Sequence, residues 1–174
     1  MKNELYFSMF VFMIGFTNSI LAQNSVNWEF KTEKIDDSTA YLVMEATIAE
    51  GWKLYGYVPH LETVDDGIPT ITVGKKNYDG KCDPNIGPIC LEFNFDAQNA
   101  AMLLGIMLAS KESISRYDPI FQGQLSVFEG NVQFRQKFRY IPNQSLKGYV
   151  YFMSCTDEKC VPPRQVDFEV GFPK

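Results

Sequence analysis

Apolar and polar residues alternate with a period of two along most of the chain. The alternation is clearest over Val26–Lys31, Tyr41–Ile48 and Val132–Phe138, where β-branched and aromatic residues recur at every second position. This spacing is typical of β-strands that bury one face. Shorter segments of similar composition are Lys53–Val58, Thr70–Val73, Leu91–Phe95, Gly148–Met153 and Val166–Phe172. Turn-forming residues separate these segments, so the pattern predicts an all-β protein built as an antiparallel β-sandwich.

One segment, residues 96–111, departs from this alternation. Its sequence, DAQNAAMLLGIMLASK, is rich in Ala, Met and Leu and begins with Asp96, a candidate N-cap. We therefore predict one short helix here, although Gly105 lies inside it. We expect its apolar residues to pack on the core, and the alternative is a surface that docks a partner.

The first residues have the plan of a secretory signal peptide. Lys2 precedes an apolar run, Leu5–Ile14, and the segment ends in small residues at Ala22. The alternative, an uncleaved membrane anchor, fits less well because the run is shorter than the roughly 20 residues that span a bilayer. We predict a signal peptide over residues 1–22, a single domain over residues 23–174, no membrane insertion after cleavage, and a periplasmic or otherwise exported location.

Composition narrows the chemistry. The formal net charge is −5, and the 16 Lys and Arg residues are scattered, so nothing indicates a nucleic-acid partner. The four cysteines, Cys82, Cys90, Cys155 and Cys160, all follow the predicted cleavage site, and an exported chain enters a compartment where disulfides persist. Three connectivities are open, of which the two local pairs are the simplest. The spacing does not favour zinc, and we predict neither a metal nor a cofactor.

Cys155 and Cys160 lie in the segment most informative about function. A strand rich in aromatic residues leads into Cys155, four polar residues follow, and Pro162-Pro163 stiffens the exit after Cys160. Disulfide exchange needs an accessible sulfur, a second sulfur close by, and a scaffold that tolerates both redox forms, which such a loop can supply. A structural bridge fits the same spacing, so the spacing alone leaves both interpretations open.

The same segment resembles the active site of a known family. Tyr151-Phe152-Met153-Ser154-Cys155 followed by Cys160-Val161-Pro162-Pro163 is similar to the corresponding stretch in the N-terminal periplasmic domain of the thiol:disulfide interchange protein DsbD. Further similar segments, in the same order along the chain, are Trp28-Glu29-Phe30, the ATIAEGWKLY sequence of residues 46–55, Gly67-Ile68-Pro69-Thr70 and Val132-Gln133-Phe134-Arg135-Gln136. The resemblance extends from about Trp28 to Phe172.

This resemblance implies an immunoglobulin-like sandwich and a role for particular residues. Such a domain takes electrons from a thioredoxin-like domain and passes them to oxidised exported proteins. Cys160 would form the mixed disulfide with the donor, and Cys155 would resolve it. The segment Ile120-Phe121-Gln122-Gly123 matches a cap loop, so Phe121 would shield the cysteines, and Tyr55 would lie near the sulfurs. The chain would thus be a component of protein-disulfide reduction, although enzymatic activity of its own is left open.

Departures from the family keep a second interpretation in view. The loop between Cys155 and Cys160 is one residue shorter than in the best-known member, and residues 77–111 have no counterpart. Within them we predict that Cys82 and Cys90 form a structural disulfide, with a second redox pair as the alternative. The competing hypothesis for the whole chain is an extracytoplasmic binding sandwich whose disulfides are purely structural.

Acidic residues between the two cysteines bear on thiol reactivity. Asp157 and Glu158 should disfavour the thiolate and raise the pKa of the cysteines, and Lys159 should partly oppose this. We therefore expect the oxidised pair to be a good target for other thiolates and the reduced pair to be a weak nucleophile.

Overall fold

The chain folds into β-strands joined by turns and loops. The computed structural model describes residues 24–56, 62–63, 69–70, 87–96 and 101–172. The strands, in chain order, are β1 (Val26–Lys34), β2 (Thr39–Ile48), β3 (Lys53–Tyr55), β4 (Glu62–Thr63), β5 (Pro69–Thr70), β6 (Glu92–Asp96), β7 (Ala101–Ala109), β8 (Ile114–Asp118), β9 (Gly123–Phe128), β10 (Asn131–Tyr140), β11 (Ser145–Phe152), β12 (Ser154–Cys155) and β13 (Arg164–Gly171). No helix in these ranges could cross a membrane. The predicted signal peptide lies outside the described residues.

The strands form three sheets and one small pair, and every pairing is antiparallel. Sheet I has the order β1-β2-β10-β7, sheet II the order β13-β11-β6, and sheet III the order β12-β3-β9-β8, while β4 pairs with β5. This architecture confirms the predicted immunoglobulin-like antiparallel β-sandwich. Sheet III is the part that carries the cysteine pair.

Strand β10 shows why the alternating pattern predicts the fold well. Its side chains are buried at every second position from Val132 to Tyr140, so one face of the strand is in the core. Phe134 projects from sheet I between the aromatic residues of the other sheets. Its ring centroid lies 5.0 Å from that of Phe93 in sheet II and 5.4 Å from that of Phe128 in sheet III. A cluster of aromatic rings within the core thus joins all three sheets.

The helix predicted over residues 96–111 is wrong. Ala101–Ala109 is strand β7, the edge strand of sheet I, and it pairs antiparallel with β10. A short continuous apolar run fits a helix or a strand equally well on periodicity, and here pairing with β10 outweighs the helix propensity of Ala, Leu and Met. Gly105 has a φ of 64°, a left-handed conformation that breaks a helix and suits the irregular register of β7 against β10.

The side chains of β7 divide between the core and the solvent. Met107 is buried, and Ala101 and Leu103 pack against the core, as expected for this segment. Met102, Ile106 and Leu108 are exposed. The predicted core packing and the alternative apolar surface are therefore both present on one strand.

Not every strand was predicted. Strands β8 and β9 had no counterpart among the predicted segments, and Gly123–Phe128 contains only one β-branched residue, Val127, and one aromatic residue, Phe128. Predicted segment 53–58 contains the short strand β3, and predicted segment 70–73 overlaps strand β5 only at Thr70. Residues 57–58 and 71–73 lie outside the described residues.

The turn between β1 and β2 depends on the carboxylate of Asp36. Its Oδ2 accepts a hydrogen bond from the Thr39 hydroxyl, and its Oδ1 accepts bonds of 2.8 Å from the backbone N–H groups of Ser38 and Thr39. These bonds favour the ionised form of Asp36 and lower its pKa to about 2. The largest contribution comes from the Thr39 hydroxyl.

Acid should remove the stabilisation that this turn supplies. In the unfolded chain Asp36 has a pKa of about 3.9, so its contribution is complete above that pH and is lost as the pH falls towards 2. We expect wild type to unfold at a higher urea concentration than Asp36→Asn at pH 6, and the two midpoints to converge near pH 2. A gap that stays constant between these pH values would contradict the role of the carboxylate.

Candidate functional site

Cys155 and Cys160 close a tight hairpin at the end of strand β12. Their sulfurs form a disulfide, and their Cα atoms are 4.0 Å apart. The four residues between them turn back on themselves: the Thr156 N–H donates to the Lys159 carbonyl at 2.8 Å, and the Val161 N–H donates to the Ser154 carbonyl at 3.0 Å. The pair predicted from the sequence is therefore brought together at the edge of sheet III.

The two cysteines differ in exposure. Cys155 lies opposite Lys53 in the register of β12 and β3, and it is 0 % exposed. Cys160 follows the turn and is only half-buried. An attacking thiolate approaches one sulfur in line with the S–S bond and displaces the other. Access from solvent therefore favours attack on Cys160, with Cys155 as the leaving group.

A small apolar cluster surrounds the disulfide. It contains the buried residues Tyr55, Leu125, Val127, Cys90 and Cys155, against which Phe121, Met153 and Cys160 pack. The ring of Phe121 meets that of Tyr55 edge to face, with centroids 5.6 Å apart. The structure thus brings the predicted cap residue Phe121 and the predicted neighbour Tyr55 to the cysteine pair, and their functional roles stay predictions.

Cys90 lies nearer to this site than its place in the sequence indicated. It is buried, disulfide-bonded and part of the same cluster as Cys155. Cys82 lies outside the described residues, so their predicted pairing and structural role stay predictions. The spacing of cysteines along a chain carries no information on which pairs pack together in space, so sequence reasoning had no signal for this proximity.

A buried ion pair beneath the cluster was not predicted. Lys53 on β3 is 2 % exposed and Asp118 at the end of β8 is 1 % exposed, and Lys53 Nζ lies 2.8 Å from Asp118 Oδ2. The Tyr55 hydroxyl donates to the same oxygen at 2.9 Å. Lys53 and Tyr55 are two residues apart on one strand, so their side chains share a face. Charged residues are almost never fully buried unless they are paired, and here both partners are supplied by sheet III.

Lys53 also contacts the loop between the cysteines. Its Nζ donates to Asp157 Oδ1 at 2.9 Å, and Arg116 Nη2 donates to Asp157 Oδ2 at 2.8 Å. Arg116 forms a second ion pair, with Glu129. Asp157 is therefore held between two cations from two strands.

Burial and these contacts shift four ionisation equilibria. Burial lowers the pKa of Lys53, but hydrogen bonds to Asp118 and Asp157 outweigh it, so the pKa of Lys53 is raised. Burial raises the pKa of Asp118, and the hydrogen bonds from Lys53 and the Phe121 N–H outweigh it and lower that pKa. Burial, helped by Asp118, raises the pKa of Tyr55, and the bond from Lys53 lowers the pKa of Asp157. Near neutral pH, Lys53, Asp118 and Asp157 are therefore charged, and the Tyr55 hydroxyl keeps the proton that it donates to Asp118.

These pairings change how the acidic loop is expected to act on the cysteines. The sequence-based expectation treated Asp157 as an unpaired negative charge that Lys159 partly opposes. In the structure two other cations, Lys53 and Arg116, face Asp157, while the Lys159 ammonium lies 6.0 Å from the centroid of the Trp52 ring. Distant strands supplied the compensating charges, so local sequence could not reveal them.

Other candidate chemistry receives no support from the described parts of the chain. Within them no group of three or more His, Cys, Asp or Glu residues is arranged to hold a metal ion. His60, the single histidine of the sequence, lies outside the described residues.

Comparison with known proteins identifies one matching family. The family model described as "Thiol:disulfide interchange protein DsbD, N-terminal" matches residues 17–171. No curated protein matches the sequence.

Solved structures of similar fold carry little sequence identity. The N-terminal periplasmic domain of ScsB from Proteus mirabilis has a TM-score of 0.52 and 14% identity, over 87% of this chain. The chain spans about half of that protein chain, 48% of its length. The reduced DsbD N-terminal domain from Neisseria meningitidis gives a TM-score of 0.49 at 14% identity, covering 84% of this chain and 86% of its own. The complex of the Neisseria meningitidis DsbD and PilB N-terminal domains gives 0.46 at 14% identity, with 87% of each chain covered. The ScsB likeness shows a shared fold.

Proposed function

The chain belongs to the family of DsbD N-terminal domains, and from this membership we propose that it passes electrons from a thioredoxin-like donor to oxidised exported proteins through Cys155 and Cys160. Family membership and the disulfide between these residues support a thiol–disulfide interchange module. The direction of electron flow and both partners are part of the proposal. In this role the chain is a component of protein-disulfide reduction, and each turnover returns it to its starting redox state.

The unequal burial of the two cysteines is the observation that carries this proposal. Cys155 is fully buried and Cys160 is half-buried, so Cys160 is the member of the pair that an incoming thiolate can approach more readily. A bridge that served only for stability would gain nothing from leaving one partner accessible. A bridge that closes so short a loop also restricts the unfolded chain little, by about 2 kcal/mol in the chain-entropy model.

The exchange divides into two balanced halves. A donor thiolate attacks Cys160 Sγ, the Cys155–Cys160 bond breaks, and Cys155 leaves as a thiolate that takes up a proton. The second donor thiolate then attacks the donor sulfur of the mixed disulfide, which oxidises the donor and releases Cys160. In the second half the Cys160 thiolate attacks the disulfide of an acceptor, and Cys155 resolves that mixed disulfide. The acceptor is reduced and the starting disulfide is restored.

The surroundings of the disulfide fit this chemistry. Phe121 packs on the cluster and on Tyr55, where it would limit access to the sulfurs when no partner is bound. The hairpin is anchored on β3 through Cys155, which keeps the resolving cysteine in place when the bond is open. We place the module in the periplasm or another exported location because of the predicted signal peptide, residues 1–22, ahead of a domain over residues 23–174. The ScsB domain of similar fold is likewise described as periplasmic.

A binding sandwich with purely structural disulfides is the competing function. Met102, Ile106 and Leu108 expose apolar side chains on β7 in sheet I, whereas the cysteine pair belongs to sheet III. Exposed apolar patches mark interaction surfaces in many soluble proteins. This function requires no reactivity at Cys160, so the redox behaviour of the cysteines separates the two hypotheses.

A redox titration tests the proposal. The oxidised protein is equilibrated with glutathione buffers of graded potential, free thiols are trapped by alkylation, and each cysteine is quantified by mass spectrometry. We expect Cys155 and Cys160 to open together well above about −300 mV, the region where labile disulfides are reduced, and Cys82 and Cys90 to stay oxidised there.

The cysteines predicted to be structural serve as the internal control of this titration. If Cys155 and Cys160 are reduced only at potentials as low as those that reduce Cys90, the pair is structural and the binding function replaces the interchange function. If all four cysteines open in one step, the predicted structural role of Cys82 and Cys90 is wrong.

A further inference from the structure

Asp118 links strand β3 of sheet III to residues 119–122, which we call the cap because they carry Phe121. It is the last residue of β8 and directly precedes the cap. One carboxylate oxygen, Oδ1, accepts hydrogen bonds from the backbone N–H groups of Ile120 at 2.9 Å and Phe121 at 3.1 Å. The other, Oδ2, contacts Lys53 Nζ at 2.8 Å and accepts the Tyr55 hydroxyl at 2.9 Å. Asp118 thus binds the backbone of the cap with one carboxylate oxygen and two side chains of strand β3 with the other.

Burial distinguishes this arrangement from an ordinary turn. Asp36 makes a similar pair of bonds to backbone N–H groups, but it is exposed and could bond to water instead. Asp118 has no such alternative, because it is 1 % exposed. A buried carboxylate that loses its donors is strongly destabilised, so the position of the cap and the integrity of the ion pair depend on each other.

Lys53 extends this connection to the cysteine loop. Besides Asp118 it binds Asp157, the second of the four residues between the cysteines, and it lies directly opposite Cys155 in the strand register. One buried cation is therefore bonded to a carboxylate that fixes the cap and to a carboxylate of the loop that closes the disulfide.

We propose that Asp118 is a positioning residue that holds the cap over the Cys155–Cys160 disulfide, and that Lys53 couples the cap to the loop between the cysteines. The inference rests on the proposed function, since a cap matters only over a disulfide that reacts. A reductant that reaches Cys160 displaces residues 119–122, and this displacement breaks the bonds that Ile120 and Phe121 donate to Asp118. Asp118 acts through the cap and takes no part in sulfur chemistry.

Reduction by a small dithiol tests the closing role of Asp118. Dithiothreitol is oxidised to its cyclic disulfide as Cys155 and Cys160 gain two electrons and two protons, and alkylation followed by mass spectrometry gives the rate. Asp118→Asn removes the charge, and its N–H₂ group must face one of the two sets of donors, either Lys53 and Tyr55 or the backbone N–H groups of Ile120 and Phe121. We expect reduction of this variant to be at least about tenfold faster than that of wild type, since a charge-assisted hydrogen bond no longer stabilises the closed cap.

Asp36→Asn is the matched control. It makes the same substitution in a turn held by the same kind of bonds, and it lies outside the cluster around the disulfide. We expect its reduction rate to equal that of wild type, whatever it does to the urea midpoint. An Asp118→Asn rate that stays at the wild-type or control value would overturn the positioning role.

Lys53→Met tests the coupling. We expect it to accelerate reduction too, and the rate increases of the two single variants not to multiply in the Asp118→Asn/Lys53→Met double variant, because both act on one closed state. Multiplicative effects would overturn the coupling. Should the Asp118 or Lys53 variants fail to fold, Tyr55→Phe decides: it loses one hydroxyl bond to Asp118 and keeps the ring contact with Phe121, and a rate unchanged from wild type then overturns the proposal.

A second reductant keeps two failures apart. If the interchange function is wrong, a thioredoxin-like dithiol leaves the wild-type disulfide oxidised at potentials where labile disulfides are reduced. If only this inference is wrong, wild type is reduced readily and Asp118→Asn is reduced at the same rate.

Discussion

Cys160→Ser is expected to abolish disulfide exchange, lowering the rate of electron transfer at least about a thousandfold, as loss of the nucleophile does in enzymes that use one. In the proposed function the half-buried Cys160 is the cysteine that partners attack, and the fully buried Cys155 is too inaccessible to replace it. Cys155→Ser should behave differently. It leaves Cys160 able to attack but removes the thiol that resolves the mixed disulfide, so the intermediate should accumulate.

A trapping experiment distinguishes the two cysteines. Each variant is incubated with the disulfide form of a thioredoxin-like domain, and mixed disulfides are counted by non-reducing electrophoresis and intact mass. A covalent complex is expected with Cys155→Ser and none with Cys160→Ser. The two variants control for each other because the substitution is the same and the positions are five residues apart. A complex formed by Cys160→Ser alone would reverse the roles assigned to the two cysteines.

Phe134→Ala is expected to cost about 3–5 kcal/mol of the free energy of unfolding, the range measured when a buried phenylalanine is truncated in other cores. The side chain is almost fully buried, and its ring contacts those of Phe93, Phe128 and Trp28 from all three sheets. No single neighbour can fill the resulting cavity, because each is held by its own strand. The loss would be a large part of the stability of a domain of this size.

Urea unfolding of the oxidised protein measures this effect. Leu108→Ala is the control: it truncates an apolar residue that is 50% exposed and should change the free energy of unfolding by much less, roughly 0.5 kcal/mol. Neither substitution touches the cluster around the cysteines, so the potential at which Cys155 and Cys160 open should be the same in both variants. Equal losses for the two variants would show that the aromatic cluster does not hold the sheets together.

Whether a strand could be predicted from the sequence depends on how its two faces are buried. Strands β1, β2 and β10 bury one face more completely than the other, so their alternation of apolar and polar residues was visible and their positions were predicted. Strand β7 carries nine residues without alternation, and its sequence was compatible with a helix. Only its antiparallel pairing with β10 selects the strand, and that pairing joins residues far apart in the chain.

The candidate site divides in the same way. Cys155 and Cys160 could be identified from local order, since a strand, a short polar loop and two prolines are adjacent in the sequence. Phe121 and Tyr55 could be named only through resemblance to a family. Lys53 and Asp118 could not be found at all, because they are separated by more than sixty residues and nothing about either one in isolation indicates burial.

The β-sandwich class, the positions of most strands and the cysteine pair in its short hairpin could all be predicted from the sequence. These properties depend on periodicity and on neighbours along the chain, which are the quantities a sequence displays. The tertiary structure alone decided which cysteine is buried, that Cys90 packs beside the pair, that residues 101–109 are a strand, and that Lys53 pairs with Asp118 beneath the cap. The physical reason is that burial and ion pairing depend on the three-dimensional proximity of distant strands, and a charge stays buried only where the fold supplies its partner.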